Sequence, residues 1–166
     1  MRTRQQDRDL PGPGPHPWNE IRPHLWMGGH FWTDPSGELQ VAVVRDEFEV
    51  VASLHTQPGH GPGPGVNHRI LEIPDDPLTA AQIDQVRRLA EEVAESVQAG
   101  RTTLVRCYAG LNRSGLVTAH ALTCLGMDVG DAITLIRRQR SPFALHNSTF
   151  EDYLRTGLAV AGLDSA

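Results

Sequence analysis

Lysine is missing from this chain: all 15 of its basic residues are arginine, set against 20 acidic ones for a formal charge of −5. That balance argues against a general binder of nucleic acid or of an anionic membrane, so any anion site must be built locally from a few groups. It also lowers what one arginine says by itself, because a uniform preference for arginine reads as coding bias. Cysteine is scarce, with two in 166 residues, which excludes a disulfide-stapled scaffold. No run approaches the ~18 apolar residues of a spanning helix, and the first residues lack the apolar stretch of a secretory signal. The expected setting is therefore cytoplasmic, with Cys107 and Cys124 both free and only Cys107 reactive. Aromatic residues are few, at 5%. Trp18, Trp26, Phe31 and Trp32 cluster in sequence and are expected to anchor the N-terminal segment to the core.

What is present suffices for one domain, since 39% hydrophobic residues in 166 is an ordinary globular composition. Residues 1–17 alternate charge with Pro and Gly and are expected to be a disordered tail, leaving 18–166 as a single domain. A second Gly/Pro tract, 57–66, is expected to be a flexible surface loop. Residues 25–27, 50–54, 69–73 and 102–106 read as short apolar strands. A helix is expected from Thr79, which forms a capping-box pair with Gln82; Ile83, Val86, Leu89, Val93 and Val97 recur at helical spacing, and Gly100 ends it. Further helices are expected over 114–125, after Asp128, and over 150–160, the last capped by Ser148 or Thr149. Strands alternating with helices predict an α/β fold, with a central, mostly parallel sheet of four or five strands flanked by helices.

The densest chemistry lies in Val105-Arg106-Cys107-Tyr108-Ala109-Gly110-Leu111-Asn112-Arg113-Ser114-Gly115. A Cys-x5-Arg-Ser segment that follows a strand and opens a helix suits a loop curled around a phosphate dianion. Gly110 lets the backbone turn and approach closely. Arg113 offers a fork to two phosphate oxygens, and the helix end adds positive potential. The same surroundings favour a thiolate, so Cys107 is expected to attack phosphorus in line. The spacing of Cys and Arg alone is weak; the strand, the glycine, the serine and the helix together make it specific.

This segment resembles the His-Cys-x5-Arg-Ser/Thr signature of the cysteine-dependent protein phosphatases, and the chain is similar to their small dual-specificity members from about residue 20 to 156. Residues 21–28 resemble the family's opening strand, Ile73-Pro74-Asp75-Asp76 its acid loop, and 140–150 the stretch before its last helix. The resemblance implies a dual-specificity-phosphatase-like fold and metal-independent hydrolysis of phosphomonoesters through a phosphocysteine, with no cofactor. It implies that Cys107 is the nucleophile, that Arg113 binds the phosphoryl oxygens and that Ser114 assists the sulfur as it leaves. The loop from Cys107 through Tyr108, Ala109, Gly110, Leu111 and Asn112 to Arg113 would hold the phosphate. Asp75 is preferred over Asp76 as the general acid because it follows Ile-Pro directly; Asp-Asp-Pro also suits a plain turn. The implied substrate is a phosphorylated protein, at phosphotyrosine and also at phosphoserine or phosphothreonine.

One departure stands out: Arg106 occupies the place of the signature histidine. It leaves open a phosphate-binding module that has lost turnover. A third reading keeps the enzyme but takes a phosphoinositide or an RNA 5′-phosphate; the loop interior, Tyr-Ala-Gly-Leu-Asn, lacks the extra basic residues those substrates call for. The eight histidines show no zinc-ligand spacing, so neither His55, His60 and His68 nor any other set is expected to bind metal. Arg137, Arg138 and Arg140 are cations favoured at a helix C-terminus, with a secondary phosphate site as the lesser reading. Asn147 and Ser148 are candidates for ordering a hydrolytic water. Oligomeric state is open.

Overall fold

Short apolar segments bounded by turn residues become strands β1 (Trp18–Arg22), β2 (Leu25–Gly29), β3 (Phe31–Thr33), β4 (Leu39–Val41), β5 (Val50–Ser53), β6 (Asn67–Ile70) and β7 (Thr103–Cys107). Periodic apolar positions give helices α1 (Ala80–Gln98), α2 (Arg113–Cys124), α3 (Val129–Gln139) and α4 (Ser148–Arg155). The structure is a computed structural model and describes residues 12–159. Five strands form one sheet in the order β1-β2-β7-β5-β6. Its β1–β2 pair is antiparallel and the other pairs are parallel. The strands β3 and β4 make a separate hairpin.

β7 lies at the centre of the sheet, every residue buried, as a parallel-sheet strand covered on both faces requires. Alternation sends Val105 and Cys107 into the main core and Leu104 and Arg106 to the other face. α1 has the expected Thr79–Gln82 capping box, and Ile83, Val86, Leu89, Val93 and Val97 are all buried. Each such side chain contributes about 1.5–3 kcal/mol of burial, which fixes α1 over the sheet and against α2. Asp128 caps α3 as expected. α4 begins two residues earlier than expected, and its cap is Asn147, which accepts from the Thr149 N–H at 3.1 Å, in place of Ser148 or Thr149. The helix ends at Arg155, short of the expected run to Val160: residues 156–159 are described and are not helical, and Val160 itself lies outside the described residues. No helix among the described residues is long and apolar enough to cross a membrane.

Both Gly/Pro segments find backbone partners in the fold. Residues 1–11 of the expected tail lie outside the described residues, but the rest is tied down: the Pro13 and Gly14 carbonyls accept from Thr33, that of His16 from Arg140, and that of Pro17 from Gly29. The tract 57–66, the crossover from β5 to β6, is a fastened layer against the sheet. Val44 donates to His60 O at 3.0 Å and Gly63 to Arg45 O at 2.8 Å. Gly61, at φ 76°, lies so close to the Val44 carbonyl that no Cβ would fit. Composition called for turns there, and turns are compatible with order where the backbone groups find partners. On the same face Trp18 and Trp26 pack edge-on against Phe48 at 5.3 and 5.8 Å, the anchoring role expected of them.

Behind the tract, His30 is fully buried, with Nδ1 at 3.1 Å from His60 Nδ1 and Nε2 at 2.6 Å from His55 O. The carbonyl needs a donor, so His30 carries its proton on Nε2 and accepts on Nδ1 from His60. Burial, aided by the nearby Arg106 charge, pushes the His30 pKa down to about 3. The unfolded chain takes up this proton near 6.5 and the native state only near 3, so between these values stability falls as the pH falls. His30 alone should cost up to about 2 kcal/mol by pH 5. Urea denaturation at pH 7 and pH 5 should show a smaller acid loss in His30→Gln than in the wild type. Equal losses in the two proteins would refute this account.

Candidate active site

The Cys107 sulfur sits where β7 ends, with the residue only 2% exposed, and opens into a cavity of about 460 Å³. The cavity is lined by Cys107, Tyr108, Ala109, Leu111, Asn112 and Arg113 on one side and by Asp75, Asp76, Pro77, His146, Asn147 and Thr149 on the other. Ser114 Oγ, fully buried, lies 3.2 Å from the sulfur and within hydrogen-bonding reach. Thus Cys107, Arg113, Ser114 and Asp75 come together as the sequence suggests. Gly110 does not line the cavity; with φ 74° its Cα packs outward against Gly28 and Arg140, where a Cβ would clash at 2.5–2.6 Å.

The loop's shape follows from where its carbonyls go. Tyr108 O accepts from His30 N at 2.9 Å, Ala109 O and Gly110 O from the Arg140 guanidinium at 3.3 and 3.1 Å, and Leu111 O from Leu145 N at 3.1 Å. Four successive carbonyls are held from outside. Across a trans peptide plane the next N–H points the opposite way, so the amides of Ala109, Gly110, Leu111 and Asn112 turn inward above the sulfur. That is an anion cradle of backbone donors, with the first turn of α2 continuing it. Asn112 stands at the N-cap of α2, yet its side chain makes no capping bond. The helix end is left free to face an anion.

The Asn112 side chain instead organises the opposite wall. Its Nδ2 donates to Asp75 Oδ2 at 2.9 Å and to His146 Nε2 at 3.0 Å, and its Oδ1 accepts from Asn147 N at 3.0 Å. Asn147 Nδ2 donates to Asp75 Oδ1 at 2.8 Å. Both Asp75 oxygens are therefore tethered, one to the loop and one to the start of α4. Asp76 also lines the cavity, but these tethers go to Asp75. The loop bearing Asp75 is held again where Arg113 Nη1 donates to Ile73 O at 3.1 Å. Asn147 was a candidate for ordering water; the structure gives it a bond to the carboxylate and a cap.

Arg140 carries more of the site than its place after a helix suggested. Buried, it bonds Ala109 O, Gly110 O, His16 O and Asn19 Oδ1, and burial pushes its pKa down to about 10, opposed by the Cys107 charge. It remains a cation at neutral pH and buttresses the loop from behind. Arg137 is likewise engaged, with Ala144 O, Leu145 O and Glu151, which holds the segment that supplies Leu145 N. Arg137 and Arg140 are therefore committed to groups of the protein itself, which leaves neither to hold a secondary phosphate. Among the described residues no group of three or more His, Cys, Asp or Glu side chains is arranged to hold a metal ion, and the ring contacts of His55 are with His30 and Tyr108. Phe31 packs at 4.9 Å from the Tyr108 ring, so this aromatic supports the loop rather than the tail.

A family model, cyclin-dependent kinase inhibitor 3 (CDKN3), matches residues 65–136. Among solved structures, human DUSP28 superposes with a TM-score of 0.70 at 22% identity, covering 89% of this chain and 96% of its own. Tk-PTP in its active form gives 0.62 at 20% identity over 86% and 96%, and PTPMT1 gives 0.61 at 15% over 87% and 98%. No curated protein sequence matches the chain. The matched stretch holds the loop bearing Asp75, β7, the cradle and α2 in one run. With Cys107 at the base of that cradle, the chain has the dual-specificity-phosphatase-like fold of these structures, and its stretch 65–136 is similar to the CDKN3 family.

Proposed function

We propose that this protein hydrolyses phosphomonoesters on proteins, phosphotyrosine foremost and phosphoserine or phosphothreonine with it, through a phosphocysteine intermediate. The observation that carries the reading is the cradle itself: four carbonyls pulled outward so that amides converge above Cys107, faced across one cavity by a tethered Asp75. The Cys107 thiolate attacks phosphorus and forms the S–P bond as the ester P–O bond breaks, and Asp75 gives its proton to the departing oxygen. Water then attacks the phosphocysteine, Asp75 takes the water proton, and the S–P bond breaks to return the thiolate. Ser114 Oγ donates to that sulfur as charge returns to it. The inward amides and Arg113 meet the charge on the phosphoryl oxygens. No step calls for a metal, so turnover should survive excess chelator.

The lining also speaks to substrate class. Arg113 is the one arginine among the described lining residues, and Asp75 and Asp76 line the opposite wall. One phosphate finds its counter-charge there; a second or third on the same ligand, as on a phosphoinositide or an RNA 5′-polyphosphate, finds none. The test is phosphate release from phosphotyrosine and phosphoserine peptides with excess chelator present. Chelator-resistant release supports the reading. Folded protein that binds orthovanadate and releases no phosphate would make it a phosphate-binding module.

A further inference from the structure

Arg106 stands immediately before the nucleophile, yet its side chain leaves for the opposite face of the sheet. In register it lies beside Gly28 of β2 and Ser53 of β5. It is fully buried and has no carboxylate partner among the described residues. Its Nε donates to Ser53 Oγ at 3.1 Å, Nη1 to His60 O at 3.0 Å and Nη2 to Gly61 O at 2.6 Å. The two carbonyls are consecutive, so the planar guanidinium grips the 57–66 tract as a fork. Burial pushes its pKa down to about 10, which leaves the charge in place at neutral pH, compensated by carbonyl and hydroxyl dipoles alone.

The surrounding proton positions are consistent with that charge. The Ser53 hydroxyl accepts from Arg106 and can donate to His68 Nε2 at 2.8 Å. His60, whose carbonyl takes Nη1, donates through its ring to His30, as derived above. Burial, then the Arg106 charge, lowers the pKa values of both His60 and His68, so the fork is ringed by neutral imidazoles. Two connections lead from this cluster to the cradle. The Arg106 carbonyl accepts from Leu54 N at 2.8 Å, and His30 N donates to Tyr108 O, the first of the four outward carbonyls. Arg106 is thus held through its carbonyl to the end of β5, and Tyr108 is held through His30 to His60 of the tract that Arg106 fastens.

We infer that Arg106 is a positioning residue for Cys107: its fork locks the Gly/Pro tract under β7 and so fixes the end of that strand and the first carbonyl of the cradle. The inference deepens the phosphatase reading and rests on it for the role of Cys107. Its consequence runs against family resemblance. Restoring the signature histidine does not restore anything here, because an imidazole is shorter, has two nitrogens, and cannot satisfy Ser53, His60 O and Gly61 O together. It would also add another ring to a cluster of three that has no charge to order it.

The test reads the sulfur directly, in a Cys124→Ser background that removes the exposed thiol. Second-order alkylation rates of Cys107 by iodoacetate, an anion the cradle should attract, are divided by those with neutral iodoacetamide. A protein that is merely less stable changes both rates together and leaves the ratio alone. Arg106→His should lower the ratio about tenfold, and Arg106→Lys, which keeps the charge and one donor, by less. Ser53→Ala, which removes one acceptor and keeps the fork, should lower it two- to threefold; it is the milder of the two changes and decides the matter if Arg106→His does not fold. An unchanged or higher ratio in the folded Arg106→His protein, or in Ser53→Ala if that protein is the one decided on, overturns the inference. Turnover of para-nitrophenyl phosphate is followed in parallel. A wild type with no turnover, whose iodoacetate preference is nonetheless lost in Arg106→His, upholds the positioning role while the phosphatase reading fails.

Discussion

Cys107→Ser is expected to abolish turnover while leaving the fold and phosphate binding in place. The substitution exchanges sulfur for oxygen at a position that is 2% exposed, and the serine Oγ is smaller, so packing loses little. What changes is the nucleophile. A hydroxyl at the base of the cradle has no neighbouring base: the group nearest the sulfur is the Ser114 hydroxyl, at 3.2 Å, and Asp75 stands on the opposite wall, where the leaving group departs. Rates should therefore fall by at least about 10⁴-fold, as when a covalent nucleophile is removed elsewhere. The inward amides and Arg113 do not depend on the sulfur, so the variant should still bind orthovanadate or a phosphotyrosine peptide, without release. Chelator-resistant turnover persisting in Cys107→Ser would end the thiolate mechanism, because no other side chain lining the cavity is placed beneath the phosphate.

The grouping of Cys107, Arg113 and Ser114 was legible in the sequence because it is local. Their spacing, a strand before them and a helix after them are all short-range, and so is the Thr79–Gln82 capping box. What shapes the loop was not legible. Its carbonyls are held by Arg140, His30 and Leu145, and nothing in the local pattern of Arg137, Arg138 and Arg140 says which arginine turns inward. Only the packing of α3 beside β1 brings Arg140 under Ala109 and Gly110. The tract 57–66 shows the same limit from the other side. Glycine and proline report that a segment cannot be helix or central strand; they are silent on whether distant groups will satisfy its carbonyls. Here a guanidinium 45 residues away does so, and no local pattern in the tract announces that partner. Asn112 was legible as a loop member but not as the organiser of the opposite wall, because His146, Asn147 and Asp75 reach it only through tertiary folding.

Asp75→Asn should separate substrates by how badly their leaving groups need a proton. Para-nitrophenolate departs unaided, so with para-nitrophenyl phosphate the first chemical step should be little affected. The alkoxide left by phosphoserine, and to a lesser extent the phenoxide of phosphotyrosine, must be protonated as it leaves. For these the loss should be on the order of 10²–10⁴-fold, the usual worth of a positioned general acid. The tethers make the comparison sharper. Asp75 presents two acceptors to two amide donors, Asn112 Nδ2 and Asn147 Nδ2. An asparagine at 75 must turn one donor toward another, so some of its loss comes from a displaced loop. Asp75→Ala has no amide to misplace but cuts both tethers, so the proton is isolated by the leaving-group dependence. A loss with phosphoserine that is absent with para-nitrophenyl phosphate in both variants assigns the effect to the missing proton. Asn147→Ala keeps the acid and cuts one tether, and should cost far less than either. Asp76→Asn should leave the leaving-group dependence unchanged, since the carboxylate tied to the cradle is the neighbouring one. If Asp76→Asn were instead the variant that lost phosphoserine turnover while Asp75→Asn kept it, the acid would be Asp76 and the tethers to Asp75 would be holding the loop only.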